Sequence, residues 1–285
     1  MLKYILSRVL QIIPSFFILT AVVFHSALLM RGGPTLPRPA YIMYIEYMGR
    51  VFRGDFGNFR TQPVLDVLLG AFPYTALLAF GGIALASVLG VFLGIVAAAK
   101  QNKLIDNIIM AVSLIASSIP LFFLAVIFML IFSLHLRWLP TRGTDSWQGM
   151  ILPIVTLGLP AVGFIARTSR TAMLDVLNMD AIKAARARGI PEKTITYSHA
   201  FKNMMIPIMT AIAVRLGELL AGTVLVELAF SIPGLGRLLL HAITFRDFNL
   251  LMGCVIVLGL AFMIINLIVD LLYVLVDPRT AKSYR

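Results

Sequence analysis

The stretch YTALLAFGGIALASVLGVFLGIVAAA, residues Tyr74–Ala99, has no charged side chain over its whole length. An α-helix needs about 20 consecutive apolar residues to cross the hydrocarbon core of a bilayer. The stretch therefore predicts a membrane-spanning helix and places the chain among membrane proteins. Within it, Gly90 and Gly94 stand four residues apart and suggest a close contact with a neighbouring helix.

The composition of the whole chain points the same way. Apolar residues make up 60% of the 285 residues and charged residues 13%. Soluble domains average roughly 45–50% apolar residues and about 25% charged residues. These values exclude a disordered chain, a fibrous repeat and a typical cytosolic enzyme. The single cysteine, Cys254, lies in an apolar block and suits packing, and the four dispersed histidines lack metal-ligand spacing. We therefore expect neither a disulfide nor a metal site.

Further apolar blocks predict an all-α polytopic membrane protein, a single domain over residues 1–285. The predicted spans are residues 9–30, 74–99, 107–134, 150–166, 204–230 and 250–276. Pro120 removes a backbone donor and predicts a kink in the third span. Pro153 and Pro160 predict that the fourth span is short and interrupted.

Charge distribution predicts the orientation of these spans. Six spans put both termini on one side, and more Lys and Arg residues fall on that side than on the other. The positive-inside rule makes it the cytoplasmic side. A net charge of +11 and a pI near 10.2 would suggest nucleic acid for a soluble chain, but here the orientation accounts for most of the excess. We expect a lipid bilayer and no nucleic acid as partner.

The outer segment, residues 31–73, is itself basic. Residues Tyr41–Phe52 predict a short helix at the membrane surface, with tyrosines suited to the interface. The glycines of Arg53-Gly54-Asp55-Phe56-Gly57 would end it. The alternative is a plain tethering loop.

The cytoplasmic loop, residues 168–203, contains DAIKAARARG, Asp180–Gly189. Ala, Lys and Arg favour a helix, and Gly189 suits the left-handed residue just past its end. An exposed small face at Ala184 and Ala185 would let a partner approach closely. The alternative is a solvated basic loop held by lipid phosphates.

Some polar residues fall inside the predicted spans, where ionised groups are costly and mark either a polar pathway or pairing between helices. Arg215 and Glu218 have the i,i+3 spacing of an ion pair. We interpret Arg215, Glu227 and Asp270 as structural. The candidates for lining a pathway are Ser117, Ser118, Glu218 and Asn266, and the serines and Asn266 have interhelical hydrogen bonding as their alternative.

Three motifs of enzymes are absent: the phosphate-binding G-x-x-x-x-G-K-[ST], the G-x-S-x-G elbow and H-E-x-x-H. A membrane-embedded enzyme is disfavoured, because the sequence contains no nucleophile–base or metal-ligand pattern. A secondary transporter driven by an ion gradient stays open, because Glu218 and the proline-broken fourth span could serve a coupling ion.

The stretch Lys183–Gly189 resembles the "EAA" loop in permease subunits of binding-protein-dependent ABC importers. The family's Glu is replaced by Lys183, but the peptide/nickel branch has a basic residue there and an acid three residues earlier, here Asp180. The segment Arg53–Gly57 is similar to the outer "RGDxG" element of that branch. Its outer-face motif is matched by Ser231, Pro233, Gly234 and Gly236, which follow Glu227. The region 31–41 is shortened relative to the family.

This resemblance implies the ABC importer permease fold in the inner membrane of a prokaryote, with both termini cytoplasmic. It implies a second, homologous permease, two ATPase subunits that bind ATP and Mg, and an extracytoplasmic binding protein, with no cofactor in this chain and no catalysis by it. The substrate would be a peptide, nickel or a metal chelate. The residues that would couple to the ATPase are Asp180, Lys183, Ala184, Ala185, Arg186, Arg188 and Gly189.

Overall fold

The structure, a computed structural model, describes residues 2–30, 38–143, 146–191, 194–195 and 200–276. The described chain is almost entirely helical, which confirms the all-α class. Its helices are α1 (Leu2–Met30), α2 (Ala40–Val51), α3 (Val64–Ala99), α4 (Leu104–Ser118), α5 (Leu121–Phe128), α6 (Ile151–Leu177), α7 (Asp180–Ala187), α8 (Phe201–Ala229), α9 (Leu235–Thr244) and α10 (Phe248–Val276). A π-helical turn, Met129–His135, extends α5, and a 3₁₀ turn, Trp147–Met150, leads into α6.

Five of the described helices are long and apolar enough to cross a membrane: α1, α3, α6 with its leading turn, α8 and α10. Most of them exceed the predicted spans. Helix α3 begins at Val64 instead of Tyr74, which shortens the predicted outer segment. Its first turn holds Asp66, which favours a helix N-terminus.

The prediction of a short, interrupted fourth span is wrong, because residues 147–177 form one continuous helical run. Pro153 lies in the first turn of α6, where its missing N–H has no partner to lose. Pro160 removes one hydrogen bond from the helix interior. The buried contact of α6 with α3 outweighs that loss, since most of this helix is inaccessible to solvent.

The third span is a pair of helices, α4 and α5, bent by 104° at Ile119 and Pro120. The pair crosses the bundle once, because its two ends lie at opposite ends of α6. At one end Asp106 of α4 bonds Arg170, near the last turns of α6. At the other end the chain after α5 reaches the start of α6, where Gly143 lies against Met150. Counted as one span, the pair brings the candidate crossings among the described helices to six.

The centre of the bundle is the contact between α3 and α6, which is set by small residues. A Cβ atom at Gly90 would stand 2.8 Å from the Cβ atom of Ile165, and one at Gly94 would stand 2.6 Å from the Ala166 carbonyl oxygen. Both are closer than real Cβ atoms tolerate without a shift of the neighbouring helix. The glycine pair thus forms the close helix contact that its spacing suggests.

Helix α2 confirms the helix predicted at Tyr41–Phe52. It packs on α1 through Tyr47, whose ring lies 5.7 Å from those of both Phe24 and Phe248. Burial raises the pKa of the Tyr47 hydroxyl. A short hairpin, β1 (Asn58–Phe59) with β2 (Gln62–Pro63), then leads into α3.

Candidate functional site

Helix α7 follows α6 after only two residues, Asn178 and Met179. Its inner face is fixed by Ile182 and Ala185, which are buried in an apolar cluster. The cluster draws on α3, α6 and α8 and includes Ile95, Ala98, Ala172, Met173, Val176, Ile195, Ala200, Met204 and Ile208. This anchoring couples the position of α7 to the ends of three long helices.

The outer face of α7 is exposed and basic. Lys183 pairs with Asp180 at 2.9 Å, and both side chains are largely in solvent, so the pair contributes little stability. Arg186 donates a hydrogen bond to the Leu177 carbonyl at 3.4 Å, while Ala184 and Arg188 are exposed. This face offers a small, positively charged helical surface to a partner.

The structure corrects one detail of the predicted docking face. Ala184 is exposed as expected, but Ala185 is 9% exposed. In a helix, residues three apart share a face, so Ala185 turns inward with Ile182 and anchors α7 within its own chain. Gly189 follows the helix with a φ of +79°, the left-handed conformation expected of it.

The polar residues of α8 pair within the membrane-spanning region. Arg215 forms an ion pair with Glu218, the contact that their i,i+3 spacing predicts. The Arg215 guanidinium also lies 3.7 Å from the centre of the Phe164 ring on α6, a cation–π contact. Glu218 remains exposed and borders a groove of about 250 Å³ beside the bend at Pro120.

The other predicted pathway residues lie in different surroundings. The Ser117 hydroxyl donates to the carbonyls of Ser113 (2.9 Å) and Pro160 (3.1 Å), so it joins α4 to α6. Ser118 is exposed and donates to the Leu114 carbonyl of its own helix. Asn266 is half-buried on α10, one turn beyond the contact of that helix with α8. Asp270 is also on α10, and its side chain lies outside the described residues.

Glu227 and the outer-face motif form a single buried unit. The Glu227 carboxylate has no exposed surface and accepts hydrogen bonds from the Thr75 hydroxyl (2.6 Å) and the Arg237 amide (3.0 Å). A Cβ atom at Gly234 would collide with that carboxylate, and one at Gly236 would stand 2.6 Å from the Val224 Cα atom. Both glycines are buried, while Ser231 and Pro233 are exposed. Glu227 therefore caps the N-terminus of α9 and does not face a pathway.

Two arginines of α6 were not singled out in the sequence. Arg170 makes two hydrogen bonds to Asp106, at 2.6 and 2.7 Å, and Arg167 donates to the Ser113 carbonyl at 2.6 Å. Their partners precede them by more than fifty residues, so no local sequence pattern predicts these hydrogen bonds. The only hint was that charged residues flank apolar spans. Among the described residues, no group of three or more His, Cys, Asp and Glu side chains is arranged to hold a metal ion.

Comparisons with known proteins agree with this architecture. The chain is 34% identical to the "Glutathione transport system permease protein GsiC" of Escherichia coli (strain K12) over 98% of each chain. It is 35% identical to the protein of the same name from Salmonella typhi, with the same coverage. The fold is similar to a solved structure of the inward-facing MetNI methionine ABC transporter, with a TM-score of 0.65 and 19% identity over 76% of this chain and 99% of that one.

Residues 90–282 match the family described as "Binding-protein-dependent transport system inner membrane component". The matched region runs from the middle of α3 through α10 and includes α7. The match over most of the chain, and the relatives aligned over nearly all of it, identify a multi-pass protein of the bacterial inner membrane. The chain therefore belongs to the family of permease subunits of binding-protein-dependent ABC importers.

Proposed function

We propose that this permease carries a small peptide, with glutathione as the first compound to test. The observation that carries the proposal is the identity of 34% to the glutathione permease over 98% of both chains. A tripeptide is polar and charged, and the ion pair Arg215–Glu218 with its adjoining groove provides both signs of charge within the bundle. Nickel and metal chelates are the competing substrates.

The exposed basic face of α7 is the docking site for an ATPase subunit in this proposal. Asp180, Lys183, Ala184, Arg186 and Arg188 face the partner, while Ala185 holds the helix against its own chain. Gly189 sets the direction in which the chain leaves α7. The end of the bundle that carries α7 is then cytoplasmic, as are both termini.

The complete transporter has further subunits. A second, homologous permease encloses the pathway together with this one, two ATPase subunits bind ATP and Mg, and an extracytoplasmic binding protein delivers the substrate. Binding of ATP draws the ATPases together and displaces α7. The bundle thereby alternates between outward and inward access, a two-state equilibrium that the nucleotide shifts. This chain performs no catalysis and holds no cofactor.

The test is uptake by proteoliposomes that contain the complete complex. With ATP supplied on the ATPase side and the binding protein on the other, we expect accumulation of labelled glutathione. A variant ATPase that cannot hydrolyse ATP is the control. Accumulation of nickel or a nickel chelate in place of glutathione would overturn the peptide assignment. Uptake driven by an ion gradient without ATP would support a secondary transporter instead.

A further inference from the structure

A buried ion pair joins α4 to α6 near the end of the bundle that carries α7. Asp106 is 1% exposed and accepts hydrogen bonds from Nε and Nη2 of Arg170 at 2.6 and 2.7 Å. Its Oδ2 also accepts one from the Asn102 amide at 2.9 Å, in the turn between α3 and α4. A buried carboxylate is tolerated only with its lone pairs satisfied in this way. The contact therefore fixes the α3–α4 turn to α6.

Two more contacts join the same helices at successive levels. Arg167 donates to the Ser113 carbonyl (2.6 Å) and to the Ser117 hydroxyl (3.2 Å). Ser117 in turn donates to the Pro160 carbonyl at 3.1 Å. Helix α4 is thus bound to α6 from its first turn to its last, so the two helices form one rigid body.

This body is directly connected to α7. Only Asn178 and Met179 separate α6 from α7, and Ile182 packs in the same apolar cluster as Met173 and Val176 of α6. A displacement of α7 by a partner must therefore displace the last turns of α6, and α4 must follow through Asp106 and Arg170.

The rigid body ends at the 104° bend between α4 and α5. Pro120 has no N–H, so no helical hydrogen bond is made at that position across the bend. Beyond it, α5 packs against both α8 and α6. The groove beside the bend is lined from both sides, by Pro160 of α6 and by Arg215, Glu218 and Gly222 of α8. Motion of α4 and α6 relative to α8 changes the shape of this groove.

We propose that Asp106 and Arg170 are positioning residues for energy coupling, which make α4 move with α6 so that displacement of α7 reshapes the groove at the Pro120 bend. This proposal rests on the proposed docking of an ATPase at α7. It does not depend on which substrate is carried.

The first experiment separates ATP hydrolysis from transport in the complete complex. Asp106→Asn removes the charge, and Arg170→Lys keeps the charge but loses the two-pronged geometry of the guanidinium. We expect uptake of labelled glutathione per ATP hydrolysed to fall by roughly tenfold or more in Asp106→Asn, and less in Arg170→Lys. ATP hydrolysis should stay within about twofold of the parent, since neither residue contacts nucleotide. Arg38→Gln, which breaks the exposed 2.9 Å pair with Glu46, is the matched control and should leave this ratio unchanged.

The second experiment needs no substrate. Spin labels at Ile115→Cys and Phe123→Cys flank the bend at two exposed positions, and the native Cys254 is buried and protected from labelling. A non-hydrolysable ATP analogue should change the distance between the labels in the parent complex. Asp106→Asn should abolish that change while the complex stays assembled.

Two results would overturn the proposal. One is an unchanged distance response in Asp106→Asn or, if that variant does not assemble, in Arg170→Lys. The other is a parallel loss of assembly, hydrolysis and uptake in both variants, because that pattern marks a purely structural ion pair. If the parent complex takes up a different substrate, the peptide assignment fails while the distance measurement still tests the ion pair.

Discussion

Glu227 illustrates how a single buried carboxylate can organise the end of the bundle opposite α7. It accepts hydrogen bonds from the Thr75 hydroxyl on α3 and the Arg237 amide on α9, while Thr75 accepts one from the Leu235 amide at 2.9 Å. The carboxylate and the hydroxyl together satisfy amides of the first turn of α9, which would otherwise be orphaned. Three helices are thereby joined at one point, and Gly234 makes room for the carboxylate.

Thr75→Val tests this arrangement at the scale of one residue. The substitution keeps the shape of the side chain but removes a donor to Glu227 and an acceptor for Leu235. Because a buried polar group left without its partner costs about 1–3 kcal/mol, we expect a lower unfolding temperature for the purified complex, measured by a thermal shift assay. Thr244→Val is the matched control, since the Thr244 hydroxyl is exposed and bonds only within its own helix. Equal melting temperatures for both variants would contradict the capping role.

At the scale of elements, the important feature is the sequence of α6, a two-residue link and α7, which ends at Gly189. A Cβ atom at Gly189 would meet no atom within 4 Å among the residues that the structure describes. The requirement for glycine there is therefore one of backbone conformation, with φ at +79°, and not one of space. This distinguishes Gly189 from Gly94, where a Cβ atom would collide with α6.

Gly189→Val and Gly189→Asn separate conformation from size. Valine disfavours positive φ, whereas asparagine tolerates it. A conformational cost of about 1–2 kcal/mol corresponds to a population change of roughly 5–30-fold. We expect the rate of ATP-dependent uptake to fall by roughly 5–30-fold in Gly189→Val. In Gly189→Asn the rate should stay near the parent value. Uptake that is equally reduced in both variants would show that the turn conformation is not the cause.

At the scale of the whole molecule, the bend at Pro120 decides the number of crossings. If α4 and α5 re-entered on one side, the termini would lie on opposite sides of the membrane. The contact of Asp106 with Arg170 at one end, and of Gly143 with Met150 at the other, makes the pair traverse the bundle. With the pair counted as one span, we expect the termini to share a side.

Tags at both termini test this topology. We expect both tags to be inaccessible to antibody in intact spheroplasts and accessible after permeabilisation, because an even number of crossings leaves both ends in the cytoplasm. A tag fused to the hairpin turn between β1 and β2 is the control and should be accessible without permeabilisation. Access to only one of the two terminal tags would require an odd number of crossings.

Much of the fold was predictable from local patterns. Apolar runs located the five long apolar helices and the bent pair. The spacing of Arg215 and Glu218 predicted their ion pair, and Gly189 indicated the end of α7. These features depend on residues that are near neighbours in the chain. The prediction failed where local signals conflicted with distant contacts: Pro153 and Pro160 suggested a broken span, yet packing against α3 keeps α6 continuous.

The sequence by itself therefore determined the class of protein, its membrane-spanning blocks and the helix that resembles the coupling element of ABC importers. The partners of the buried polar residues came from contacts distant in the chain. Only the tertiary structure showed that Glu227 caps α9, that Ala185 turns inward, and that Asp106 and Arg170 join α4 to α6. The physical reason is that hydropathy and helix periodicity act over a few residues, whereas a buried charge is satisfied by partners that folding brings from elsewhere in the chain.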